Sequence, residues 1–133
     1  MRQWEIQQAI YDDLTASEQL MERIEGVFDH VPQNTKYPYV VIGEDTGLQW
    51  DTDTSDGVNS TITVHVWSRE RGRKETKEIM DIIHRVLHRS ELNISTLTSV
   101  FCYWEFSESF MDTDGKTRHG VTRFRILAEE EIS

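Results

Sequence analysis

The chain is poor in cysteine, in long apolar runs, in catalytic signatures and in positive charge, and each shortage removes a class of protein. Cys102 stands alone, so no disulfide can form within the chain, which fits a reducing compartment. No apolar run approaches the ~20 residues of a membrane-spanning helix. Met1-Arg2-Gln3-Trp4-Glu5 lacks the apolar core of a signal peptide, so a soluble intracellular domain with no membrane contact is expected. There is no phosphate-cradling glycine loop and no nucleophile elbow. Lys and Arg number 14 against 24 Asp and Glu, a net charge of -10. That balance argues against tight wrapping of nucleic acid, which needs bases to neutralise phosphates.

What is present is periodic. The hydrophobic share of 37% is low and the charged share of 29% high, but apolar residues recur in register along most of the length, unlike a disordered chain. In Thr61-Ile62-Thr63-Val64-His65-Val66-Trp67, Ile62, Val64 and Val66 share one side, while Thr61, Thr63, His65 and Trp67 share the other. A period of two with β-branched residues predicts a half-buried strand. After the polar joint Ser68 to Gly72 the period changes. Ile79, Ile82, Ile83, Val86 and Leu87 fall at i, i+3, i+4, i+7 and i+8, one apolar stripe on a helix. Strand and helix joined so closely bury their apolar faces most simply by folding onto each other.

The other segments supply surface for that unit. Ile6, Ala9, Ile10 and Leu14, flanked by Trp4 and Tyr11, predict a first helix over 2–14. Thr15-Ala16-Ser17-Glu18 has the form of a capping box opening a short second helix that stops at Gly26. Val27 to Val31 is a short strand, closed by Pro32. Tyr37 to Gly43 is another, fraying through an acidic stretch into a loop over 52–57. Leu92-Asn93-Ile94 is a short buried connection. In Val100 to Phe106 the alternation puts Val100, Cys102, Trp104 and Phe106 on one side. Asp114-Gly115 marks a turn, and a strand over 120–129 puts Thr122, Phe124, Ile126 and Ala128 on one face and Val121, Arg123 and Arg125 largely on the other. The expected order is α-α-β-β-β-α-β-β. It describes one α+β domain over 1–133, with a largely antiparallel or mixed sheet against one long helix and an N-terminal helix.

Candidate chemistry is thin. His84 and His88 are spaced as a zinc pair, yet Arg85 stands where a hydrolytic site wants Glu and no third ligand follows. Asp51 to Gly57 begins like a calcium loop, but the glycine is at the seventh position and Ile62 replaces the twelfth-position Glu. Cys102 in a strand reads as a buried thiol, not a nucleophile. No metal, cofactor or catalytic residue is assigned. Charge is more informative. Residues 44–56 hold Glu44, Asp45, Asp51, Asp53 and Asp56 and no base, with Trp50 among them. Arg69, Arg71, Arg73 and Lys74 crowd the start of the long helix, where the helix dipole disfavours positive charge. Two readings stand: solvated charge, with the bases tolerated at an exposed and screened helix end, or a candidate subunit interface of these ten residues, acid on one copy meeting base on the next.

The same order of cues resembles the phage tail completion and tail terminator family over nearly the whole chain. The resemblance rests on Leu20 to Phe28 leading to Val31-Pro32, on Tyr37-Pro38-Tyr39-Val40-Val41-Ile42-Gly43, and on Ile62-Thr63-Val64-His65-Val66-Trp67-Ser68 with Gly72 and the helix to Leu87. It implies a non-enzymatic structural subunit of the virion tail, assembled in the host cytoplasm into a ring, a hexamer by family habit. Its implied partners are the tail tube protein and the head–tail connector, with DNA only in transit through the lumen. The rival readings are a metal protein or enzyme using His84, His88 and the acidic loop, and a monomeric acidic inhibitor or DNA mimic.

Overall fold

The change of period near residue 68 becomes a change of element. In the computed structural model, which describes residues 2–49 and 55–131, the long strand β3 (Ser55–Ser68) passes through the joint into α3 (Lys74–Leu87). Before them come α1 (Gln3–Thr15), α2 (Glu18–Met21), β1 (Val27–Phe28) and β2 (Tyr39–Gln49); after them come β4 (Thr98–Met111) and β5 (Arg118–Glu131). The order and the α+β class are those expected from the sequence. The strands form one sheet in the order β1-β2-β3-β5-β4, antiparallel except where β1 runs parallel to β2.

Both helical stripes and one sheet face make a single core. Ile62, Val64 and Val66 are buried opposite Ile79, Ile82, Ile83 and Leu87, while Val86 is half-buried at the margin. Thr122, Phe124, Ile126 and Ala128 of β5 continue the same buried face. On α1 the residues Ile6, Ala9, Ile10 and Leu14 close the layer. The connection through Leu92, Ile94 and Leu97 is buried beneath it. Gly115, at φ +68°, makes the β4–β5 turn; that conformation is free of steric penalty only for glycine.

Four expectations need correction. Thr15 ends α1 instead of capping α2: its hydroxyl donates to the Tyr11 carbonyl at 2.8 Å. The cap is Ser17, whose Oγ accepts from the Leu20 N–H at 3.2 Å, so the box with Glu18 does not form. β1 keeps only Val27 and Phe28, because its pairing with β2 is confined to Val40 and Val41. The loop read over 52–57 is partly strand, since β3 already begins at Ser55. There β5 supplies a continuous partner, from Ser55 opposite Glu131 to Ser68 opposite Arg118, and polar residues make ladder hydrogen bonds as well as apolar ones. Finally, Phe106 does not share a side with Cys102 and Trp104. A bulge between Trp104 and Phe106 inserts one residue and flips every later side chain.

The core assignment has a direct consequence. Ile83 and Leu87 are wholly buried, so Ile83→Ala or Leu87→Ala should each lower unfolding free energy by about 2–5 kcal/mol in urea titrations. Val86→Ala should lose clearly less. Equal losses at Val86 and Ile83 would contradict the placement of the stripe.

Candidate functional site

The basic segment follows the Ser68 end of β3, and the described acids lie along the strand pair from its middle, at Glu44 and Asp45, to Asp56 near the hairpin turn. Val58 pairs with Gln49 near the hairpin turn and Trp67 with Tyr39 at the far end, nine steps or about 30 Å along an extended strand. Asp45 lies opposite Ile62, and Asp56 pairs with Glu130 near the turn. Glu44 is bound at home: its carboxylate stands 3.0 Å from His65 Nε2. That contact needs the close passage of β2, for a Cβ on Gly43 would fall 2.7 Å from the His65 ring. Trp50, Asp51 and Asp53 lie outside the described residues.

The basic segment divides into engaged and free members. Arg69 lies over the Tyr37 ring, 4.5 Å from its centroid, and its Nε donates to Thr117 Oγ1 at 3.2 Å. Its guanidinium is also 3.9 Å from Asp114. Lys74 reaches Glu78 at 3.7 Å, a carboxylate that also holds Arg23 at 2.9 Å. The guanidinium groups of Arg71 and Arg73 have no partner among the described residues; their carbonyls are used, Arg71 accepting from Arg118 and Arg73 from the Lys77 N–H. Asp114 organises the turn beside Arg69. Hydrogen bonds from the Thr117 hydroxyl and from the Lys116 and Thr117 amides hold its carboxyl down at about 2.

The other sequence candidates make contacts within the fold. The His84 and His88 rings lie 4.7 Å apart, and His88 Nδ1 accepts the Trp104 backbone N–H at 3.0 Å. Arg89 donates its N–H to the Cys102 carbonyl, so residues 88–90 cover part of the β4 edge. Among the described residues no three of His, Cys, Asp and Glu converge on a metal geometry. Cys102 is fully buried and desolvation pushes its thiol up to about 12, which leaves no thiolate at neutral pH.

The sheet face away from the helices carries a cluster of which strand alternation places only His65 and Trp67 on one side; His119 and Phe110 lie outside the expected strands. His65 Nδ1 and His119 Nε2 are 2.7 Å apart. Trp67 stacks on His119 with centroids 3.7 Å apart, and Phe110 meets the same ring edge-on. Farther along this face, Glu105 takes Arg123 at 3.0 Å and Arg125 at 2.7 Å. In the histidine pair one nitrogen donates and the other accepts, so a second proton would set N–H against N–H. Burial lowers the His119 pKa, and His65 lowers it further against the opposing pull of Asp112 and Glu44. A lowered folded value means that the unfolded chain binds more protons. The associated stability is full above about pH 6.5 and is lost as pH falls through that value. The urea midpoint should therefore drop between pH 7 and pH 5, and His119→Gln should flatten part of that drop. An identical pH slope in the variant would remove His119 from this account.

The comparisons agree with the architecture. Residues 8–129 match the family model described as Tail completion protein gp17. Tail completion protein gp17 of Bacillus phage SPP1 is 31% identical over 121 residues, which span 91% of this chain and 90% of that protein. The solved structure of bacteriophage SPP1 gp17 covers 96% of this chain and 88% of its own, with a TM-score of 0.60 and 28% identity. A chain in the virion of a native gene transfer agent particle is similar in fold, at TM-score 0.83 and 20% identity, covering 92% of this chain and 93% of that one. Together the match over 8–129 and the SPP1 relative show that this chain belongs to the tail completion protein gp17 family.

Proposed function

We propose that this protein completes a phage tail. Copies close into a ring, a hexamer by the habit of such proteins, on the end of the tail tube; the ring stops tube growth and meets the head-side connector. The observation that carries this reading is the family match, which runs from residue 8 to residue 129 and so takes in β1 to β4, α3 and all but the last two residues of β5. Charge is compatible with a conduit for DNA. The net charge is -10, and Arg123 and Arg125 on the open sheet face are both held by Glu105, so both are engaged within the subunit.

The neighbours in the ring meet head to tail, acid against base. The acidic side comprises Asp45, Asp51, Asp53 and Asp56, with Trp50 among them, and the basic side Arg71 and Arg73, since Glu44, Arg69 and Lys74 are already paired within the subunit. With the bases beyond the Ser68 end of β3 and Asp45 and Asp56 farther along the strand pair, each copy can offer acid to one neighbour and base to the other, the arrangement that closes a ring. Exposed pairs contribute only about 0.2–1 kcal/mol each, so charge sets orientation and association rate more than affinity.

Two outcomes are expected. The purified chain, imaged by negative stain and weighed by native mass spectrometry, should form rings that dissociate as salt rises. Added to polymerising tail tube protein, it should shorten the tubes. Tubes of unchanged length, with the chain absent from their ends, would defeat the proposal.

A further inference from the structure

We infer that a hollow beside α1 is a socket for an arginine of the neighbouring copy, Arg71 or Arg73; the inference rests on the ring reading above. α1 carries two stripes. One is the core stripe. The other is Trp4, Gln7, Gln8, Tyr11 and Asp12, again at i, i+3, i+4, i+7 and i+8, a spacing that sets side chains along one helix face. This second face meets solvent: Trp4 is 65% exposed and Tyr11 43%. With Asp29 beyond β1 and Ile42 of β2, it lines a hollow of about 280 Å³.

The chemistry of that hollow selects a cation. Two aromatic rings and two carboxylates line it, and no base does. Neither the Asp12 nor the Asp29 carboxylate has a partner among the described residues. The bases nearby in sequence are engaged elsewhere, Arg2 with Glu130 and Glu5 and Arg23 with Glu78. A planar guanidinium suits such a place better than an ammonium does, because it stacks on a ring while donating sideways to carboxylates.

The same chain supplies the ligand. Arg71 and Arg73 are exposed and have free guanidinium groups among the described residues, and they flank Gly72 at the far end of β3. The hollow lies by α1 on the β1–β2 side of the sheet, and among the described residues its lining makes no contact with Arg71 or Arg73 of the same chain. One copy can therefore insert its arginine into the next while its own hollow stays open to the copy behind it. The contact is heterologous, as ring closure requires, and the socket is incomplete without the neighbour. Trp4 and Tyr11 supply the apolar area that the charge pairs lack.

Disulfide trapping tests the contact directly. Gln8→Cys places a thiol at the socket rim. Gly72→Cys places one between the two arginines, where a new Cβ meets nothing within 4 Å. The native Cys102 is buried and does not compete. Under mild oxidation, an equal mixture of the two variants should give covalent dimers that neither variant gives alone. Asp12→Lys and Arg73→Glu should each raise the concentration for half-assembly at least tenfold, and the double variant should recover most of that loss. Circular dichroism should show all variants folded, since every altered side chain lies outside the core. A wild-type chain that stays monomeric at every concentration overturns the ring reading and the socket with it. A wild type that forms rings, with no mixed dimer and no effect of either charge change, overturns the socket alone. Dimers of Gln8→Cys with itself would show a symmetric contact and overturn it too.

Discussion

The fold depends on β3 being flanked on both sides. It pairs with β2 along one edge and with β5 along the other, and its inward face lies under α3. Ile62, Val64 and Val66 are thereby removed from water by helix packing while the backbone around them is satisfied by two ladders. Neither condition suffices alone: a two-stranded ribbon is marginal in water, and a helix of α3's length is marginal without an apolar surface to cover. Each completes the other. α1 and the connection through Leu92 to Leu97 then seal a core that already exists.

What the sequence revealed followed the range of the physics involved. Alternation and helical stripes are local signals, so β3, α3, α1 and β5 were legible, with their inward faces. The bulge at β4 was not, because one inserted residue leaves no mark in composition; the aromatic run through Phe106 reads smoothly across it. The start of β3 at Ser55 was hidden for another reason. Its Ser, Asp and Gly residues favour a loop locally, and strand is imposed by β5, some seventy residues away. The capping error was a choice between two hydroxyls two positions apart, settled by Thr15 continuing α1. The hollow beside α1 was illegible in principle, since Trp4 and Tyr11 look like flanks of the core stripe and Asp29 and Ile42 arrive from other elements.

Charge shows the same division between local and assembled. In the sequence, Arg69, Arg71, Arg73 and Lys74 look like one cluster. In the structure, Arg69 belongs to Tyr37, Thr117 and Asp114, and Lys74 to Glu78, while the Arg71 and Arg73 guanidinium groups have no partner among the described residues. Glu44 likewise belongs to His65. The net charge of a segment therefore overstates what it can offer a partner, and pairing within the subunit decides which residues are left for recognition.

The sheet's two edges impose a last constraint. β1 protects one end with only two residues, and at the other end β4 is covered near Cys102 and Trp104 by residues 88–90. Beyond the bulge, β4 presents Phe106, Phe110 and Met111, all substantially exposed. A long apolar edge of this kind invites unplanned strand pairing. Three features oppose it. The bulge at Glu105 disturbs the edge, Glu105 and Glu108 set carboxylates between the aromatics, and Arg123 covers the Phe106 ring at 5.1 Å. A subunit meant to join a larger assembly must keep sticky surface available without joining copies at random. Here the apolar groups stay on the surface, and the irregular, charged backbone beside them withholds a flat template for pairing.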